Sequence, residues 1–137
     1  MIKNTKHGRT NYRALQPYFE AVKAAGGWLH FTSAGFMDFV VEDLQTDTEY
    51  AGHLYSIAHY GTQNGDLMSD PEIVVGVKDG RIIPYSFTNH YIGLYQVVFD
   101  ETGKRYRPKL MTDLDYFIWQ WWHNLEEQGF TPERTAA

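Results

Sequence analysis

Apolar positions recur along this chain with two different periods. Leu15, Tyr18, Phe19, Val22 and Ala25 return at helical spacing and Gly26-Gly27 stops the run, predicting a helix within residues 11–25. Pro17 falls inside it, so either the regular helix begins near Gln16 or a short preceding turn is kinked onto it. A second helical stripe, Leu114, Phe117, Ile118, Trp121, Trp122 and Leu125, marks a C-terminal helix. Thr112 reads as its N-cap with Asp115 three residues on, and Gly129-Phe130 followed by Pro132 ends it.

Between the helices the period drops to two. Trp28 to Thr32 and Phe36 to Asp43 read as strands joined through Ser33-Ala34-Gly35, with Met37, Phe39 and Val41 inward and Asp38 and Glu42 outward. Residues 51–60 form a third strand, on which Leu54, Ala58 and Tyr60 oppose His53, Tyr55, Ile57 and His59. A three-residue Lys78-Asp79-Gly80 loop with Gly80 left-handed sets Ile73, Val75 and Val77 on one face with Ile83 and Tyr85; a two-residue loop sets Pro84 and Ser86 there instead. The three-residue loop with a bulge is the favoured register, and Pro84 points to an edge or a bulge. The stretch 91–100, apolar on both faces, reads as a central strand. The fold class is therefore α+β, an antiparallel sheet of about five to six strands flanked by the two helices in the order αββββββα.

Composition adds limits. The 137 residues, 43% apolar, suit one domain, divided as a basic flexible head at 1–10, the α+β domain at 11–130 and a flexible tail at 131–137. No cysteine is present, which removes disulfides and thiolate chemistry and fits a reducing, cytoplasmic setting. No run approaches the roughly 20 apolar residues that span a bilayer. The net charge of −5 argues against direct nucleic-acid binding, although Lys3, Lys6, Arg9 and Arg13 make the head locally basic.

Phosphate-binding glycine loops, serine elbows and paired-histidine zinc helices are all absent from the sequence. The candidate polar site is the stretch 59–73, "HYGTQNGDLMSDPEI". Its His59, Asp66, Asp70 and Glu72 combine an imidazole with carboxylates, a donor set suited to Mg or Mn or to acid/base catalysis. His53 and His59 are about 20 Å apart on one strand and cannot share an ion. The alternative is a plain turn, with Asn64-Gly65 reversing the chain and Asp70-Pro71 starting the next strand. A second candidate lies on the C-terminal helix, where Tyr116, Trp119 and His123 fall together opposite the core stripe as an exposed partner surface or a homodimer contact. Asp38, Glu42 and Asp43 are acidic candidates for meeting a basic partner.

The stretches "HYGTQNGDLMSDPEIVVGV" and "PYSFTNHYIGLYQVVF" resemble a family of small uncharacterised proteins carried by phages, plasmids and integrated conjugative elements. The resemblance covers residues 12–128, with Gln63 to Met68 and Asp70 to Glu72 its most distinctive piece and "YIGLYQ" in support. Together with the acidic charge, the outward Tyr116, Trp119 and His123 stripe and the absence of standard catalytic motifs, the resemblance points to a mobile-element protein that binds and blocks a host defence protein, of anti-CRISPR or anti-restriction type, with no cofactor expected. The alternative is a metal-dependent hydrolase or nucleotide-processing enzyme built on His59, Asp66, Asp70 and Glu72.

Overall fold

The computed structural model describes residues 4–63 and 66–136, with side chains outside 61–70. Helix α1 (Gly8–Ala24) leads into strands β1 (Trp28–Phe31), β2 (Phe39–Thr48), β3 (Gly52–Gln63), β4 (Asp66–Lys78) and β5 (Arg81–Asn89), a 3-10 turn (His90–Ile92), β6 (Leu94–Val97) and helix α2 (Pro108–Glu127). The strands form one antiparallel meander in chain order, β1-β2-β3-β4-β5-β6. This is the expected αββββββα architecture.

Both helices lie on one face of the sheet. Phe19 of α1 stacks on Tyr55 of β3 at 4.1 Å, and Phe117 of α2 meets Phe87 of β5 edge-on at 5.4 Å. Strand pairing carries Phe39, Val41, Tyr55, Ile57, Ile73 and Val75 onto this same face, where all are buried. The apolar stripe of α2 closes the core through Leu114, Ile118, Trp121 and Leu125. Such burial, at about 25 cal/mol per Å² of apolar surface, is the main term holding helices and sheet together.

Several local expectations give way. Helix α1 starts at Gly8 and runs through Pro17, whose ring is exposed. The carbonyl that loses its partner belongs to the exposed Arg13 and can turn to water, so the helix continues. Its end is as expected: Gly27 N–H donates to Val22 O and Gly26 N–H to Lys23 O, a Schellman closure. Helix α2 starts earlier than Thr112, with Pro108 in its first turn; Thr112 sits inside it, its hydroxyl donating to Pro108 O. Asp115 is buried rather than capping.

The β1–β2 connection spans 32–38, leaving Met37 47% exposed, and β2 continues to Thr48 past a bulge between Asp43 and Asp47. Lys78 pairs with Arg81, so the β4–β5 loop is the two-residue Asp79-Gly80 turn, both at positive φ. Val77 therefore faces Ile82 and Val75 faces Pro84, not Ile83 and Tyr85. A register shift beside Pro84 then brings Phe87 opposite Ile73, so the expected bulge exists but lies inside the strand. The stretch 91–100 is not central. It supplies the turn and the edge strand β6, with Ile92 71% and Tyr95 68% exposed, because the meander places its last strand at the border.

Candidate functional site

The stretch 59–73 is not a long turn. Strand β3 runs to Gln63 and pairs it with Asp66, the start of β4; the Asn64-Gly65 reversal itself lies outside the described residues. A register shift after Ala58 sets His59 across from Asp70-Pro71, which gives Pro71 a bulge to occupy. His59 turns to the helix side. Trp121 Nε1–H donates to its Nε2 at 3.0 Å, and its Nδ1 lies 3.1 Å from the Asp38 carbonyl. An indole can only donate, so Nε2 carries no proton and the Nδ1–H faces Asp38 O.

Glu72 belongs to the other face. It pairs with Ala58 and accepts a 2.8 Å hydrogen bond from Ser56 Oγ. Tyr60 stands beside it, its phenol pushed up first by burial and then by the charges of Glu72 and Glu42. The sheet thus separates His59 from Glu72. Asp66 and Asp70 are on β4, and their side chains lie outside the described residues. Among the described residues, no three His, Asp or Glu side chains group so as to hold a metal ion.

On α2 the expected aromatic face is present and is partly covered. Tyr116 and Trp119 stack at 5.9 Å, Trp119 lies 4.1 Å from His123, and His123 stacks on Trp122 at 3.7 Å. His7, from the basic head, packs 5.2 Å from Trp119 and 6.1 Å from Tyr116. Tyr116 remains 49% exposed, while Trp119 and His123 are half-buried. Beside them runs a groove of about 470 Å³, lined by Phe117, Trp119, Trp121, His123 and Glu127 of α2 and by Pro71 of β4. The helix face and the β3–β4 hairpin, read separately from sequence, therefore meet at one place.

The acidic candidates divide. Asp38 is exposed, 3.8 Å from His30 Nδ1, and Glu42 is exposed. Asp43 is already engaged: His53 Nε2 sits 2.6 Å from its Oδ1 and His53 Nδ1 sits 2.6 Å from Asp47 Oδ1. The Asp47 hydrogen bond leads in holding the His53 ring above the ordinary imidazole value. Burial pushes Asp43 up, but the Gln45 N–H and His53 outweigh it and hold its carboxyl below the usual range.

The profile of a domain of unknown function, DUF6908, matches residues 11–131. The chain belongs to the DUF6908 family. The matched DUF6908 span begins at Asn11 and takes in all six strands and α2. No curated protein and no solved structure matches the chain. No helix among the described residues is long and apolar enough to cross a membrane.

Two groups in this DUF6908 domain escape sequence reasoning. The His53 clamp closes only across the β2 bulge. The buried Asn11 links the helices, accepting from Trp122 Nε1 at 2.8 Å and donating to Asp115 O at 3.2 Å, while Asp115 Oδ2 accepts the His7 N–H at 2.9 Å. Burial raises the Asp115 carboxyl, and its Oδ1 has no partner among the described residues. Only the polar Asn11 on the apolar side of α1 hints at this in sequence.

Proposed function

We propose that the protein acts by binding another protein through the α2 aromatic face, and that its target is a nucleic-acid-handling host defence protein, inhibited in the manner of anti-CRISPR or anti-restriction factors. The observation that carries this reading is the groove beside Trp119, whose wall combines the rings of Phe117, Trp119, Trp121 and His123 with the acidic Glu127. Such a surface suits arginine or lysine side chains, which stack on aromatic faces and pair with acids. Basic side chains crowd the channels of proteins that hold nucleic acid. Asp38, whose carbonyl holds His59 against Trp121, and the net charge of −5 favour the same kind of partner. The rings are already held by His7 and His123, so ordering them on binding costs little entropy.

The test is affinity capture from bacterial hosts carrying restriction or CRISPR systems, followed by calorimetry with the purified target. The expected result is capture of a nucleic-acid-binding effector and inhibition of its cleavage. Trp119→Ala weakens that complex by about 2 kcal/mol or more, and affinity falls with added salt. Failure of the protein to reduce cleavage by any effector it captures would sink the reading.

A further inference from the structure

A separate cavity of about 340 Å³ is walled by Arg9, Lys78 and Arg81 together with Thr5, Tyr50 and Asp79. It gathers three of the chain's 12 lysines and arginines against a single acid, in a protein whose net charge is −5. The fold assembles this cluster at a cost. The tight Asp79-Gly80 turn pairs Lys78 with Arg81 directly across the ladder, where like charges repel. Among the described residues, neither side chain has a carboxylate within ion-pair distance. Lys78 Nζ donates to the Glu49 carbonyl and stands 5.8 Å over the Tyr50 ring. Arg81 Nη1 donates to Thr5 O at 3.1 Å and approaches Thr5 Oγ1 at 3.4 Å.

These contacts tie one corner of the guanidinium to the Thr5 segment at the cavity wall. Gly8, the first residue of α1, has only enough room for the guanidinium beside it, since a Cβ there would meet Nη1 at 3.2 Å. The start of α1 therefore abuts the cavity. It carries no acid in its own first turn, so the positive end of its dipole adds to the three cations, offset on the α2 side by Asp115, whose Oδ2 accepts the His7 N–H. The Arg81 charge partly offsets the burial that raises the Asp115 carboxyl, but Asp115 is not part of the cavity wall.

From this arrangement we infer that the cavity binds a small phosphate-bearing anion, with Arg81 as the planar fork and Lys78 and Arg9 closing over it. A guanidinium matches phosphate oxygens two at a time, and an ammonium supplies the point charge beside it. The site is independent of the aromatic groove. A small cluster of cations on an otherwise acidic protein favours a compact anion over the long backbone of a nucleic acid.

The experiment titrates pyrophosphate into the full-length protein at ionic strength matched with sodium chloride, followed by 31P line broadening and by backbone amide shifts. Expected are shifts at Arg9, Gly80 and Arg81 and an affinity that drops about tenfold in each of Lys78→Met and Arg9→Gln, the loss of one charged hydrogen bond. Neither of these residues is buried, so both variants should fold, which their amide spectra verify directly. Shifts no larger than the salt control, or shifts unchanged in the double variant, overturn the site. Tighter binding of a single-stranded oligonucleotide, lost in the same variants, overturns the small-anion assignment in favour of a nucleic-acid backbone.

Discussion

His53 is engaged through both of its ring nitrogens. Held between Asp43 and Asp47, it donates to both only when protonated, since a neutral ring has a single N–H. Its folded value lies above the ordinary 6.5, so its contribution is complete below 6.5 and is lost as pH climbs through the raised value. Asp43 lies below its ordinary 3.8, so its contribution is complete above 3.8 and is lost as pH falls through the lowered value. Wild type should therefore exceed His53→Gln in stability most clearly between 3.8 and 6.5, with the gap narrowing on both sides. Denaturant melts of the two proteins across pH measure this directly, and parallel curves would contradict it. Because the pair is partly exposed, salt should also shrink the gap.

At the level of elements, the β3–β4 ladder is the tightest joint. Gly52, at φ 78, and Gly76 let the chain at Ala51 pass against β4: a Cβ on Gly76 would overlap the Ala51 carbonyl, and one on Gly52 would overlap the Val77 carbonyl. Gly76→Ala is expected to cost at least about 2 kcal/mol, read as a lower urea midpoint with an unchanged slope. A midpoint equal to wild type would show that the loop moves aside freely. Element existence and type were legible in the sequence, because amphipathic period is local. Register was not. The Asp79-Gly80 pair carries the signature of a two-residue turn, yet the pattern of Ile73, Val75 and Val77 fits a three-residue loop as well, and the bulge beside Pro84 reconciles them further along. The place of 91–100 escapes the sequence for a related reason: apolar residues on both faces suit a central strand, but the turn at His90–Ile92 leaves Tyr91 and Ile92 on the surface.

Across the whole molecule, the chain uses its own C-terminal segment to close one edge of the sheet. The β1 edge is covered by the C-terminal segment, where Thr32 N–H donates to Arg134 O, Ala136 N–H donates to His30 O and Phe31 bridges Thr135. Truncation after Pro132 keeps the buried Phe130 but strips this cover, and an open edge invites pairing between chains. Light scattering that rises with concentration in the truncated protein, at a concentration where wild type stays constant, is the expected outcome. The head is tied in as well, through buried Thr5 and through His7, which reaches Asp115 and Trp119. Of the candidate site, the sequence located Trp119, His123 and His59, since helical period and residue chemistry are properties of neighbours along the chain. It determined the order of elements, both helix stops and the aromatic face of α2 for the same reason. Only the tertiary structure decided that His59 and Glu72 face opposite sides of the sheet, that His53 bridges two aspartates, and that Arg9 joins Lys78 and Arg81. Each of these depends on a bulge, a turn length or the landing point of a helix, and those are fixed by which packing buries the core best rather than by any local pattern.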